Sequence, residues 1–333
     1  MTVILAIESS CDETSAAVSV NGIIKSNIVA TQSVHENYGG VVPELASRAH
    51  QQHIIPVVSK ALNEANIRKN KLDAVAFTQG PGLLGSLLVG ASFAKSLALA
   101  LNIRLIGIHH MQAHVLSHFI DQPVPGFPFI CLTVSGGHTQ LVKVSNYLEM
   151  EVIGETRDDA VGEAFDKCAK IMGFPYPGGP LIDQYAKQGD PKRFKFPSSD
   201  IAGLDYSFSG VKTAFLYFLR DELARDSEFI VSNLPDICAS LQFSLVEMLI
   251  AKVSMAVKKT GIQTLAIAGG VSANSELRKS MTALGVENGW EVFIPKFEYC
   301  TDNAAMIAIA AHYKFQKKEF LSLDASPLPR MKM

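Results

Sequence analysis

The chain has 333 residues, is 48% hydrophobic and carries a formal net charge of -2, a balance that suits two globular lobes and argues against a disordered chain. It also excludes an overall cationic field, so contact with nucleic acid must come from a local patch or a partner, and no membrane association is expected. The five cysteines, Cys11, Cys131, Cys168, Cys238 and Cys300, contain no Cys-x-x-Cys pair, which argues against a disulfide framework or zinc ribbon and for a reduced, cytoplasmic setting.

Residues 3–8 form an apolar, strand-like run that meets the acidic Glu8 with no basic residues before it, so no signal peptide is expected. Residues 15–20, Asn21-Gly22 and Ile23-Ile24 read as a β-hairpin with the strongest two-residue turn signal. The polar connection Glu8–Thr14 between these strands offers hydroxyls, carboxylates and backbone N–H groups suited to a phosphate or its metal, or simply to a hairpin loop. A loop at Tyr38-Gly39-Gly40 leads into a helix through about Ala65 bent by Pro56; its His50 and His53 read as packing or surface residues. Residues 73–78 read as a strand, Gly80-Pro81-Gly82 as a turn, and 83–101 as a helix. Lys95, Gly85, Gly90 and several serines make this last stretch a buried helix in preference to a membrane span.

Strand 104–108 then delivers His109, His110, His114 and His118. Residues i and i+4 share a helix face, so His110 and His114 can grip one ion if the segment is helical. The position after His110, where a zinc peptidase of His-Glu-x-x-His type carries its general base, is Met111.

Residues 121–128, with three prolines and a glycine, form the clearest linker. The expected lobes are 1–122, joined by the C-terminal helix of about 303–333 packing back onto it, and 129–302. Residues 129–144 repeat the opening pattern of strand, small polar turn and strand, which suggests a duplication. Helices follow at 158–172 and around Asp183, then a basic loop with Lys192, Arg193 and Lys195 that reads most simply as a solvated surface. Further helices are expected after Gly210 and over 234–259. A buried strand at 264–268 and a glycine turn at 269–274 precede another helix, and a strand at 290–294 and Tyr299-Cys300-Thr301-Asp302-Asn303 open the last.

Three glycine pairs, Gly136-Gly137, Gly178-Gly179 and Gly269-Gly270, adjoin these elements, where they let a phosphate or nucleoside approach the main chain beside helix N-termini. No Walker lysine motif and no G-x-G-x-x-G is present, so the glycines point to a nucleotide cleft that is neither a P-loop nor a dinucleotide fold.

The motifs Ile7-Glu8-Ser9-Ser10-Cys11-Asp12-Glu13-Thr14, Gly39–Arg48, Gly80-Pro81-Gly82, His109–His114, Val134–Leu141, Gly162–Lys167, Tyr176–Pro180, Ala268–Asn274 and Cys300–Asn303, in this order along nearly the whole chain, closely resemble the bacterial tRNA adenosine threonylcarbamoyltransferases. This is the TsaD family, formerly called O-sialoglycoprotein endopeptidases. The resemblance implies an α/β, two-lobed fold shared by actin-like ATPases, sugar kinases and the Hsp70 ATPase domain (ASKHA), with an interlobe cleft. It implies transfer of the threonylcarbamoyl group from threonylcarbamoyl-AMP to the exocyclic amine of the adenosine 3′ of the anticodon, in tRNAs reading codons that start with A. It implies one divalent metal per subunit, Fe2+ or else Zn2+, on His110, His114 and Asp302, and substrate contacts at Thr133, Val134, Ser135, Gly136, Gly137, Asp166, Gly179, Asp183 and Asn274. Thr133 stands where the family pattern has an aliphatic residue, a difference of little weight for a main-chain contact. The implied partners are tRNA, threonylcarbamoyl-AMP, a dimerising paralogue (TsaB) and a small P-loop ATPase (TsaE). No general base is assigned. A metallopeptidase using the same histidines and a non-catalytic, ATP-binding actin-like scaffold remain the alternative readings.

Overall fold

The computed structural model describes residues 1–198 and 201–333, and all their side chains except those of Glu36 and Asn37. The chain divides into two compact units. The first comprises Met1–Val124, Asn146–Met150 and Pro295–Met333, the second Pro125–Ser145 and Glu151–Ile294. Residues 146–150 and 295–302, which the sequence reading places in the second lobe, therefore belong with the first unit. Tyr147 shows why, since its ring stacks on Tyr313 at 3.7 Å.

In the first unit β1 (Val3–Glu8), β2 (Glu13–Val20), β3 (Ile23–Thr31), β4 (Ala74–Gly80) and β5 (Arg104–His109) form one sheet in the order β3-β2-β1-β4-β5. The β2–β3 hairpin turns at Asn21 and Gly22, with φ of 52° and 81°, the left-handed pair that a two-residue hairpin requires. β1 lies antiparallel to β2 and parallel to β4. Both faces of this sheet are covered, so β1 reads as a continuous apolar run and not as an alternation. Val3, Leu5 and Ile7 face a core with α1 (Pro43–Glu64) and α2 (Leu84–Leu101), while Ile4 and Ala6 face a core built largely from α3 (His110–Leu116) and α9 (Ala304–Gln316). The small residues of α9, buried from Ala304 through Ala311, let that helix lie close against the strands.

In the second unit β6 (Phe129–Val134), β7 (Thr139–Asn146), β8 (Glu149–Glu155), β9 (Thr264–Ala268) and β10 (Glu291–Phe293) form a sheet in the order β10-β9-β6-β7-β8. A single core joins it to α4 (Val161–Ile171), α5 (Gly179–Ala186), α6 (Ser209–Leu223), α7 (Phe229–Thr260) and α8 (Ser275–Asn288). α7 begins five residues before the sequence pattern suggests and runs through Pro235. β8 is an element the pattern does not show, because its exposed edge lacks an apolar run.

Two helices, α2 and α7, are long and apolar enough to cross a membrane by length and composition. α7 is the central helix of the second core. α2 is buried on one side only, through Leu87, Ala91, Ala94 and Ala98, and exposes Leu84, Leu88 and Leu99; it is a core-facing helix and not the fully buried one that its composition suggests.

Candidate functional site

β5 ends at His109, whose ring accepts the N–H of Gln112 and so caps α3. The helix then carries His110 and His114 on consecutive turns, their rings edge-to-face at 4.7 Å. Asp302 arrives from the other end of the chain. α9 fixes its place through three side-chain caps: Asn303 accepts from Met306 N at 3.1 Å, Ser15 from Ala304 N at 2.8 Å and Asn27 from Ala305 N at 3.1 Å. Asp302 Oδ1 then lies 3.3 Å from His110 Nε2 and 3.0 Å from His114 Nε2. One donor atom from each of the three residues lies within 4.8 Å of the others, so the group can hold a metal ion. These separations suit nitrogen and oxygen ligands that each reach about 2.0–2.2 Å to a shared ion, and the buried His114 Nδ1 has no hydrogen-bond partner among the described residues. Met111 is 1% exposed and packs in the core, so no peptidase-type base follows His110.

Without a metal the cluster is a buried ion pair. Burial disfavours the His110 imidazolium, but the facing carboxylates of Asp302 and Glu8 outweigh it and raise the pKa well above the ordinary histidine value. Burial likewise opposes charge on Asp302 and Glu8, and the attraction of His110 lowers both; His114 adds to the effect on Asp302. Glu13 behaves in the opposite way: burial, with Asp302 and Asp12 nearby, pushes its carboxyl up to about 10. His50 is satisfied on both nitrogens, by Thr14 Oγ1 at 2.8 Å and by Cys11 O at 3.0 Å; it is structural.

In the second unit the polar turns also lie at strand ends. Thr133 pairs with Ala268 in the parallel β6–β9 register, so the turn after Val134 and the turn after Ala268 lie side by side at the carboxyl ends of the strands, where open α/β sheets bind ligands. The first turn is closed by Ser135 N donating to His138 O at 2.8 Å. Gly269 sits at φ 89°, and a Cβ there would meet Val134 O at 2.4 Å; one on Gly162 would meet Ser135 O at 2.6 Å, and one on Gly178 the Ala169 side chain at 2.1 Å. A Cβ on Gly136, Gly137 or Gly270 would meet nothing within 4 Å. The three glycine pairs are thus not equivalent. Gly269 and Gly178 are demanded by packing, whereas Gly136, Gly137 and Gly270 leave main chain open to a ligand.

The polar side chains expected at this site are already engaged. Asp166 Oδ1 accepts from Gly178 N at 2.9 Å and Gly179 N at 3.0 Å; burial raises its pKa and these two N–H donors oppose the rise. Asp183 Oδ1 accepts from Ser275 N at 2.9 Å and Ser275 Oγ at 2.6 Å. Asn274 caps α8 through Leu277 N at 3.0 Å and donates to Gln242 Oε1 at 2.7 Å. Asp166 is thereby tied to the 178–179 turn, and Asp183 to the start of α8 beside Asn274. Sequence reasoning placed Glu8 in a polar connection suited to a phosphate or metal but not beside His110, whose Nδ1 it meets at 3.1 Å, and it missed Gln242. The available signal for Glu8 was a carboxylate ending an otherwise apolar buried strand.

Two sheets of one topology, each bearing polar groups at the ends of its parallel strands, make this an actin-like, ASKHA-type α/β protein with a two-histidine, one-carboxylate donor set. The model of the family TsaD: tRNA N6-adenosine threonylcarbamoyltransferase matches residues 23–309. Relatives named tRNA N6-adenosine threonylcarbamoyltransferase include that of Cytophaga hutchinsonii, 64% identical and covering 99% of this chain and 96% of the relative. That of Christiangramia forsetii is 62% identical, covering 99% and 98%. The chain belongs to this family of transferases. Solved structures of like fold include full-length HypF in a phosphate- and nucleotide-bound form, with TM-score 0.64 at 12% identity over 95% of this chain and 46% of that one. Component A of the (R)-2-hydroxyglutaryl-CoA dehydratase of Acidaminococcus fermentans has TM-score 0.55 at 15% identity over 96% and 100%.

Proposed function

We propose that the protein moves the threonylcarbamoyl group from threonylcarbamoyl-AMP to the exocyclic amine of the adenosine 3′ of the anticodon in tRNAs reading codons that start with A. The observation that carries this reading is the convergence of His110, His114 and Asp302 in a chain of the threonylcarbamoyltransferase family. These three residues would hold a divalent ion, Fe2+ or Zn2+, the choice that a two-histidine, one-carboxylate set favours. Bound there, such an ion would supply Lewis-acid polarisation of the carbamoyl carbonyl or a contact for the threonyl carboxylate.

The chain's own groups do the rest. The main chain at Gly136 and Gly137, the open part of the 133–137 segment, takes the phosphate. Asp166, Gly179, Asp183 and Asn274 hold the nucleoside; Asp166 is tied to Gly178 and Gly179, Asp183 to Ser275, and Asn274 to Gln242, so positioning costs little at the moment of reaction. The tRNA amine nitrogen attacks the carbamoyl carbon, the new C–N bond forms, and the bond from that carbon to the phosphate oxygen breaks. AMP leaves with the electron pair, and the amine proton is lost.

For tRNA we propose the edge at Lys192, Arg193 and Lys195. Phe194 and Phe196 alternate with these cations and pack on Phe218 at 5.0 and 5.4 Å, which holds the charges outward on a fixed strip. TsaB and TsaE complete the assembly, and the setting is cytoplasmic. The test is reconstitution with those partners and mass spectrometry of the tRNA nucleosides. Threonylcarbamoyladenosine is expected with the parent chain and absent with His110→Ala; nucleotide binding without product would favour the scaffold reading, and normal transfer by His110→Ala would remove the metal role.

A further inference from the structure

Side chains alternate along a strand, so Ile4, Ala6 and Glu8 share one face of β1. That face looks toward the core of α3 and α9, the helices that bear His110 and follow Asp302. On the neighbouring parallel strand Ala74, Ala76 and Thr78 hold the same face, in a register that pairs Ala6 with Ala76. Glu8 therefore ends β1 inside the protein, 0% exposed, where an isolated carboxylate would be costly. It is not isolated. Ser10 N donates to its Oε1 at 2.5 Å, Thr78 Oγ1 donates to its Oε2 at 2.5 Å, and His110 Nδ1 lies 3.1 Å from the same Oε2.

We propose that Glu8 is a positioning residue for the metal ligand His110: it accepts a hydrogen bond from Nδ1–H, fixes ring and tautomer, and leaves the Nε2 lone pair for the ion. This rests on the metal reading of the site but on no step of the transfer. Only an ionised carboxylate can accept on both oxygens from the three groups that face it. A glutamine in its place must turn its NH2 either toward Ser10 N, setting donor against donor, or toward His110 Nδ1, which drives the ring proton to Nε2, where the metal must bind. The partner nitrogen of His114 has no such carboxylate; its Nδ1 is the buried, unpaired atom noted above. The two histidines are thus unequal ligands, and the orientation of the pair depends on Glu8. Carboxylate partners of ligating histidines typically contribute about 10–100-fold to metal affinity.

The test uses the full chain loaded with Co2+ and read by ligand-field absorption under chelator competition, with neither tRNA nor adenylate present, so failure of the transfer reading leaves it untouched. Glu8→Gln is expected to weaken Co2+ binding by about 10–100-fold. In a cycle with His110→Ala the Glu8→Gln effect should vanish, because Glu8 acts only through that ring. Thr78→Val, nearly isosteric, removes one of the donors that orient Oε2. It should weaken binding a few-fold, with Thr78→Ser restoring it, and it keeps the question open to experiment if Glu8→Gln does not fold. Parent-like affinity in Glu8→Gln or, where that variant does not fold, in Thr78→Val overturns the proposal. So does a Glu8→Gln loss that persists undiminished in the His110→Ala background, which would make Glu8 a ligand in its own right.

Discussion

The two units run the same sheet. Each has a central strand, an antiparallel hairpin partner with a third strand beyond it, and two parallel strands on the other side, so that β1 with β2–β5 and β6 with β7–β10 follow one order. What differs is the residue set at the end of the central strand. β1 ends in Glu8, Ser9 and Ser10, with His110 and Asp302 beside them. β6 ends in Ser135, Gly136 and Gly137, with Gly269 and Gly270 beside them. One strand end thus gathers carboxylate and imidazole groups that can hold a cation, and the other leaves main chain at Gly136, Gly137 and Gly270 open to close approach. Sheets of one strand order differ in chemical character through a few residues at one point of the topology.

The sharpest way to break this comparison is to remove a cation ligand. His114→Ala should sharply weaken metal binding and abolish tRNA modification, while AMP affinity, which the proposed function assigns to the second unit, stays at the parent level; metal analysis and calorimetry with AMP read the two separately. Next come the glycines, which the structure sorts into packed and open positions. Gly269→Ala, strained at positive φ and against Val134 O, should cost about 2–4 kcal/mol of stability by chemical denaturation. Gly136→Ala, with open space around it, should leave stability within about 1 kcal/mol yet weaken binding of an adenylate analogue.

Replacing Lys192, Arg193 and Lys195 by alanine should lower tRNA affinity at low salt and flatten its salt dependence by about 0.7–0.9 per lost phosphate contact, with no change in AMP affinity. Unchanged binding would return this loop to plain solvated surface.

A pH-dependent effect concerns Glu13. Its folded-state pKa, raised to about 10 from the ordinary 4.5, means that the folded metal-free protein keeps a proton that the unfolded chain releases. Stability from this group is intact below pH 4.5 and declines as pH rises from there toward 10. Glu13→Gln should therefore match the parent near pH 4 and exceed it by a few degrees in Tm at pH 8. Equal melting temperatures at both pH values would show the carboxyl to be ionised at no cost.

Much of this was legible in the sequence because local rules act locally. Asn21-Gly22 specified a hairpin, apolar runs specified buried strands, and spacing of four placed His110 and His114 on one helical face. The motif series reached further, to Asp302 and to the glycine turns. Pattern alone could not show that residues 146–150 return to the first unit, because Tyr147 is placed by a ring far away in sequence, that of Tyr313. Nor could it show that α2 keeps an exposed apolar side, or that Gly178 and Gly270 differ in kind.

By itself, then, the chain determined its elements, the family to which it belongs and the candidate metal residues His110, His114 and Asp302. Tertiary structure alone decided that Glu8 meets the other nitrogen of His110. Glu8, Thr78, His110 and Asp302 are scattered from one end of the chain to the other, and only strand register, side-chain alternation and the docking of α9 through Ser15 and Asn27 bring them within hydrogen-bond distance. Residue spacing encodes a helix face, but contacts across a sheet depend on which strands pair, and that is settled by burying both faces of the sheet at once.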